Sequence, residues 1–220
     1  MASIIRLSTT SLSSNQNGLS GDDVAGVTTR KGVLWILVGI ALYNTTSVVL
    51  NKRPYQVFYL SYPIRYPLLF RPDVVIPMFL GFELGPVVGF LSGFIGAAIS
   101  DYFSYDKLFL NWDIAIGLMG LITSIGYYKV KGTDRADIKG ILVLMGLAAG
   151  AVVLSVGFAV LVDIYQFSGQ ATPIEFVPPA ITYLANILFL IPIWVVMHEK
   201  SVKEHLMTSF SRPRQSEKSE

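Results

Sequence analysis

Long apolar runs alternate with short polar breaks along this chain, on a length scale set by membranes. Three runs carry no charged residue: 33–50, 140–162 and 176–197. Each reaches the roughly 18 residues or more that mark a helix able to cross a hydrocarbon layer about 30 Å thick. A fourth run, 114–128, is charge-free but short, and gains length if Trp112 and Asp113 sit at the interface. Between the first and fourth lies 74–100, 27 residues broken only by Glu83.

That stretch sets the number of crossings. A single helix of this length would run about 40 Å at about 1.5 Å per residue, with Glu83, Gly85 and Pro86 near mid-membrane. An ionised carboxylate at that depth costs at least about 2.5–3.5 kcal/mol. Pro86 would also remove a backbone hydrogen bond and clash with the carbonyl four residues earlier. As two helices, Glu83-Leu84-Gly85-Pro86 is a turn at the membrane surface, with Glu83 solvated and Pro86 in the first turn of the next helix, where proline fits. Pro72 and Asp73 signal the start of the outgoing helix, residues 72–83. The opposing signal is Gly81, Gly85, Gly89, Gly93 and Ala97, small residues every fourth position. They form one continuous contact ridge only if the helix is continuous.

Turn chemistry is the stronger constraint. The expectation is an all-α, polytopic membrane protein with six transmembrane helices and both termini cytoplasmic. Gly85, Gly89, Gly93 and Ala97 then form the packing ridge of the third helix, which ends at Asp101. Twelve of the 17 Lys and Arg residues fall on the cytoplasmic side, and five outside: Lys52, Arg53, Arg65, Arg71 and Lys107. Merging the two central helices gives thirteen against four, which satisfies the positive-inside rule equally, so charge orients the chain without counting its spans.

Composition agrees: 52% of residues are hydrophobic and 15% charged, against about a quarter charged in soluble domains. Residues 1–31 are Ser/Thr-rich without an apolar core, and read as a disordered cytoplasmic segment, not a cleavable signal peptide. Residues 32–199 form the six-helix membrane domain, and 200–220 a disordered cytoplasmic tail. No cysteine is present, which excludes disulfides and thiolate metal sites. The two histidines, His198 and His205, lie at or past the end of the last span. Neither a metal site nor a cofactor is expected, nor an enzyme or a nucleic-acid partner.

Candidate chemistry gathers on the outer face. The loop "NKRPYQVFYLSYPIRYPLLFR" carries Tyr55, Phe58, Tyr59, Tyr62 and Tyr66, prolines 54, 63 and 67, and four basic residues. It is either an interfacial aromatic belt or a lid over a pocket. Asp101 and Asp163 close two helices on that face, where the helix dipole disfavours an acid. Arg65 and Arg71 are cations within reach, so these charges either pin the loop by salt bridges or hold a ligand. Tyr183 and Asn186 share one face of the last span, serving helix contact or ligand contact. Trp112 is a belt residue or a stacking platform.

The segments "RPDVVIPMFLGFELGPVVGFLSGFIGAAISDYFS" and "NWDIAIGLMGLITSIGYY" resemble the substrate-binding membrane subunits (S components) of energy-coupling-factor (ECF) transporters. The likeness lies in a Pro-led second helix, a G-x-x-x-GP-x-x-G turn, and a Gly-rich fourth helix after an outer-face Trp. It implies a multi-pass cell-membrane protein with six helices that binds a vitamin or other small micronutrient in an outward-facing pocket under the loop between helices 1 and 2. It further implies substrate contacts at Tyr62, Arg65, Trp112, Asp163, Tyr183 and Asn186. The implied partners are a transmembrane coupling subunit and two ATPase subunits. The family's docking motif, two alanines four apart on the first helix, is replaced here by "GIALYNTT", with Gly39, Ala41 and Thr45 as its nearest equivalents. A structural membrane protein of cell-wall morphogenesis, of the rod-shape-determining D type, has a similar architecture and is the alternative. A sensory module of the kind fused to kinases is a third, and no signalling domain follows here to support it.

Overall fold

The computed structural model describes residues 30–51, 56–60, 66–130, 137–166 and 173–198. These fold as a helical bundle. Helix α1 (Arg30–Asn51) leads into strands β1 (Gln56–Leu60) and β2 (Tyr66–Leu69), then a 3-10 turn (Pro72–Val74) and α2 (Val75–Leu84). There follow α3 (Pro86–Tyr105), α4 (Leu110–Thr123), the short α5 (Ile125–Lys129) and the 29-residue α6 (Ile138–Gln166). The last segment is a 3-10 turn (Pro173–Phe176), α7 (Val177–Asn186), a second 3-10 turn (Ile187–Phe189) and α8 (Leu190–Met197). Four stretches are long and apolar enough to cross a membrane: Arg30–Val49, Pro86–Tyr105, Ile138–Gln166 and Pro173–Met197.

Strands β1 and β2 add an antiparallel hairpin to this helical architecture, with Leu60 opposite Tyr66. Both strands are rich in residues that fit a pleated surface, which a purely helical expectation passes over.

The central question of 74–100 resolves as a helical hairpin. Helix α2 ends at Leu84, Gly85 takes φ 100° and ψ 175°, and Pro86 opens α3. A side chain at Gly85 would be strained in that backbone region, so this glycine shapes the turn and is not a ridge contact; the nearest atom to a Cβ built there is 3.8 Å away. The small-residue repeat is folded back on itself. A Cβ on Gly89 would lie 2.6 Å from the Gly81 Cα and 2.7 Å from the carbonyl oxygen of Gly120 on α4. One on Gly93 would lie 2.8 Å from the Ile116 carbonyl oxygen. Three backbones therefore meet where side chains are absent, which is how apolar helices gain contact without a hydrophobic drive between them. Ala97 continues the row, buried and against the cavity described below.

Buried hydroxyls join the helices. Ser100 Oγ donates to Ser47 Oγ at 2.6 Å, tying α3 to α1, and the Thr123 hydroxyl meets the Met78 carbonyl at 2.9 Å, tying α4 to α2. The apolar core runs from Val74 and Met78 through Met119 to Leu144, Val152 and Val156 of α6.

Two expectations are corrected. Helix α3 continues past Asp101 to Tyr105, where Asp106 closes it in the left-handed region (φ 52°). Glu83 is not solvated: its side chain is 19% exposed and its Oε1 lies 3.7 Å from His198 Nε2. The reason is tertiary, because the end of α8 packs beside the α2–α3 turn and covers it.

Candidate functional site

A cavity of about 470 Å³ opens at the end of the bundle that carries the β hairpin. Its wall takes residues from every quarter of the fold: Tyr43 of α1, Arg71 before α2, Ala97 and Asp101 of α3, Trp112, Asp113 and Ile116 of α4, and Thr182 and Tyr183 of α7.

The start of α2 supplies the framework. Arg71 forms a two-pronged ion pair with Asp73, Nη2 to Oδ2 at 2.8 Å and Nε to Oδ1 at 3.2 Å. Asp73 is fully buried, and bidentate pairing is the geometry in which a guanidinium best satisfies a carboxylate. The Arg71 Nη2 also donates to Tyr43 Oη at 3.4 Å. Gly96 lets the Tyr43 ring lie against α3, since a Cβ there would sit 3.0 Å from the ring. From the other side, the Arg71 backbone N–H donates to Asn186 Oδ1 at 3.0 Å, and Asn186 Nδ2 donates to the Thr182 carbonyl at 2.7 Å.

On the opposite wall, Asp163 of α6 accepts from Asn111 Nδ2 at 2.7 Å and from the Trp112 indole Nε1 at 2.9 Å. The indole is thereby fixed as part of the wall. Asp113, next in sequence, is 1% exposed, and neither of its oxygens has a hydrogen-bond partner among the described residues. The Thr182 hydroxyl is in the same condition.

The sequence candidates divide accordingly. Trp112 and Tyr183 line the cavity. Asp163 and Asn186 stand behind it and hold its walls. Tyr62 and Arg65 lie outside the described residues. Arg71 pairs with Asp73, so the expected salt bridge from Arg71 to Asp101 or Asp163 is replaced by a local one, two residues away and already aligned. On α1, Ala41 and Thr45 are exposed, whereas Gly39 faces inward, where a Cβ would come within 2.7 Å of Ser92 Cβ. Sequence reasoning missed Tyr43, Asp113 and Thr182. Asp113 carried a visible signal, a carboxylate beside an interfacial tryptophan at the head of an apolar helix. Tyr43 and Thr182 carried none, since a lone tyrosine or threonine within a span is ordinary.

Comparison with known proteins agrees in kind. A family model described as "ECF-type riboflavin transporter, S component" matches residues 55–201. A UPF0397 protein of Lactobacillus johnsonii is 34% identical over 119 residues, covering 53% of this chain and 52% of that protein. A UPF0397 protein of Aliivibrio fischeri is 27% identical over 149 residues, 66% of this chain and 75% of the relative. One from Streptococcus gordonii is 44% identical over 45 residues, 20% of this chain and 24% of the relative. The chain thus spans about half the length of the first of these relatives. No solved structure matches the chain.

Proposed function

Because the chain belongs to the family of ECF-type riboflavin transporter S components, a family of multi-pass membrane transport subunits and not of enzymes, we propose that it captures a small micronutrient in the cavity at the hairpin end of the bundle. The observation that carries this reading is the cavity itself. Its volume, about 470 Å³, falls in the range of small-molecule sites, as does its wall, largely aromatic with a few placed polar groups.

In this reading the 3-10 turn with α2, and α4 with α5, complete the bundle to six crossings, and both termini are cytoplasmic. The cavity then faces outward beneath the first loop, from which Tyr62 and Arg65 reach the ligand. Trp112 and Tyr183 contact it directly, and Asp163 and Asn186 position those walls. The subunit works with a transmembrane coupling subunit and two ATPase subunits, docking through the exposed face of α1 that carries Ala41 and Thr45. Riboflavin, the compound in the family's name, is the first ligand to assay.

The experiment is affinity purification of the full chain in mild detergent, followed by native mass spectrometry. A retained small molecule and co-purified ATPase subunits are the expected result. Recovery with cell-wall synthesis proteins alone, and no small molecule, would sink the proposal. Single cysteines at Ser8 and Ser216, in a chain that has no other cysteine, test the crossing number; labelling from opposite sides of the membrane rules out six.

A further inference from the structure

The cavity is acidic where it is most enclosed. Asp101 of α3 and Asp113 of α4 both line it, and their carboxylates lie within interaction range of one another. Asp113 is 1% exposed and without a hydrogen-bond partner among the described residues. Glu175 adds a third acid at the exposed rim. Arg71 is the one cation among the described lining residues, and its charge is matched by Asp73, which is fully buried behind it. With that pair cancelled, the remaining lining carries three acids and no base.

A buried carboxylate without a donor is costly, and two facing carboxylates repel each other. Placing a cation between them relieves both. The rest of the wall says what kind of cation. Tyr43, Tyr105, Phe109, Trp112 and Tyr183 surround the acids. Aromatic faces attract positive charge and stack on flat rings. An inorganic ion would need neither these faces nor a cavity of about 470 Å³.

We propose that the ligand is a flat aromatic or heteroaromatic compound bearing a protonated nitrogen, such as an amidinium or an aminium group. The nitrogen lies between Asp101 and Asp113, and the ring lies against Trp112 and Tyr183. This rests on the substrate-binding reading above and narrows it: a phosphorylated or carboxylated compound is repelled, and a neutral one leaves the two acids uncompensated.

The test uses the full chain in detergent, tryptophan fluorescence as the readout, and three probes of nearly one shape: benzamidine (cation), benzamide (neutral) and benzoate (anion). Benzamidine is expected to bind tighter than benzamide by on the order of 10-fold or more, the effect of an opposite charge a few ångströms away at reduced dielectric. Benzoate is expected to bind weakest. Asp113→Asn should abolish most of that preference. Asp101→Asn, at a less buried position, provides the same comparison if the first variant folds poorly. Equal affinity for benzamidine and benzamide overturns the proposal, as does a preference that survives both substitutions, or displacement of benzamidine by Mg²⁺ or Ca²⁺ at equal concentration. Native mass spectrometry separates this claim from the one it rests on. A retained organic cation lost in Asp113→Asn supports both. A retained neutral or anionic molecule, riboflavin included, overturns the cation proposal and leaves substrate binding standing. Failure of every probe to bind, with nothing retained, overturns both.

Discussion

Asp163 accepts the Trp112 indole N–H at 2.9 Å while its other oxygen accepts from Asn111 at 2.7 Å, so a carboxylate on α6 fixes an aromatic wall on α4. Hydrogen bonds to a charged acceptor contribute about 1.5–3 kcal/mol each. Asp163→Leu should therefore release the indole, lower stability by about 2–4 kcal/mol by that measure, and weaken ligand binding. Thermal unfolding and ligand titration on the same sample check the two effects. An unchanged indole emission in the variant would contradict the positioning role.

Asn186 and Thr182 are one helical turn apart and should respond oppositely. Asn186→Leu leaves the Arg71 backbone N–H without its acceptor, at a cost of about 1–3 kcal/mol, so the loss should be of folded protein. Thr182→Val removes a hydroxyl that has no partner among the described residues, so stability should hold or rise while ligand affinity falls. Unfolding curves for the two variants, measured side by side without ligand, distinguish these outcomes.

The glycines divide in the same manner. Gly89→Ala drives a methyl into the Gly81 and Gly120 backbones, and overpacking of this kind costs about 1–3 kcal/mol or more. Gly146 and Gly150 on α6 have nothing within 4 Å of a Cβ, and alanine there should be neutral or stabilising by up to about 1 kcal/mol from helix propensity. Gly85→Ala should destabilise by about 1–3 kcal/mol through backbone strain alone, since the space around it is open. Melting temperatures of the four variants in one detergent give the comparison.

Arg71 and Asp73 should be strongly coupled. Removing one partner of a buried pair costs about 3–5 kcal/mol, while replacing both with apolar residues is often close to neutral. Arg71→Met and Asp73→Leu are each expected to reduce folded yield, and the double variant to recover much of it. Additive losses in a double-mutant cycle would show that the pair is not acting as a unit.

The hairpin at Glu83–Pro86 was legible in the sequence because it rests on local chemistry: a proline that cannot sit mid-helix and a glycine beside it free to take positive φ. The Gly81–Ala97 repeat argued the other way only while it was read along one axis. Folded at Gly85, the same spacing brings Gly81 onto Gly89, and the third backbone, at Gly120, belongs to a helix whose position no local pattern specifies. Trp112 and Tyr183 were found as candidates because aromatic residues near span ends are conspicuous. Asp163 and Asn186 were also found, yet whether such a polar group faces a ligand or a neighbouring helix depends on the rotation of its helix in the bundle.

By itself the sequence determined the apolar segments, the breaks between them and the family, because hydrocarbon thickness and backbone hydrogen bonding leave a spanning chain few alternatives. The tertiary structure alone decided which acids are satisfied. Asp73 has Arg71 and Asp163 has Trp112 and Asn111, while Asp113 is buried without a partner. Pairing of this kind depends on distances of a few ångströms between helices far apart in sequence, and those distances follow from how closely the glycine-lined backbones approach.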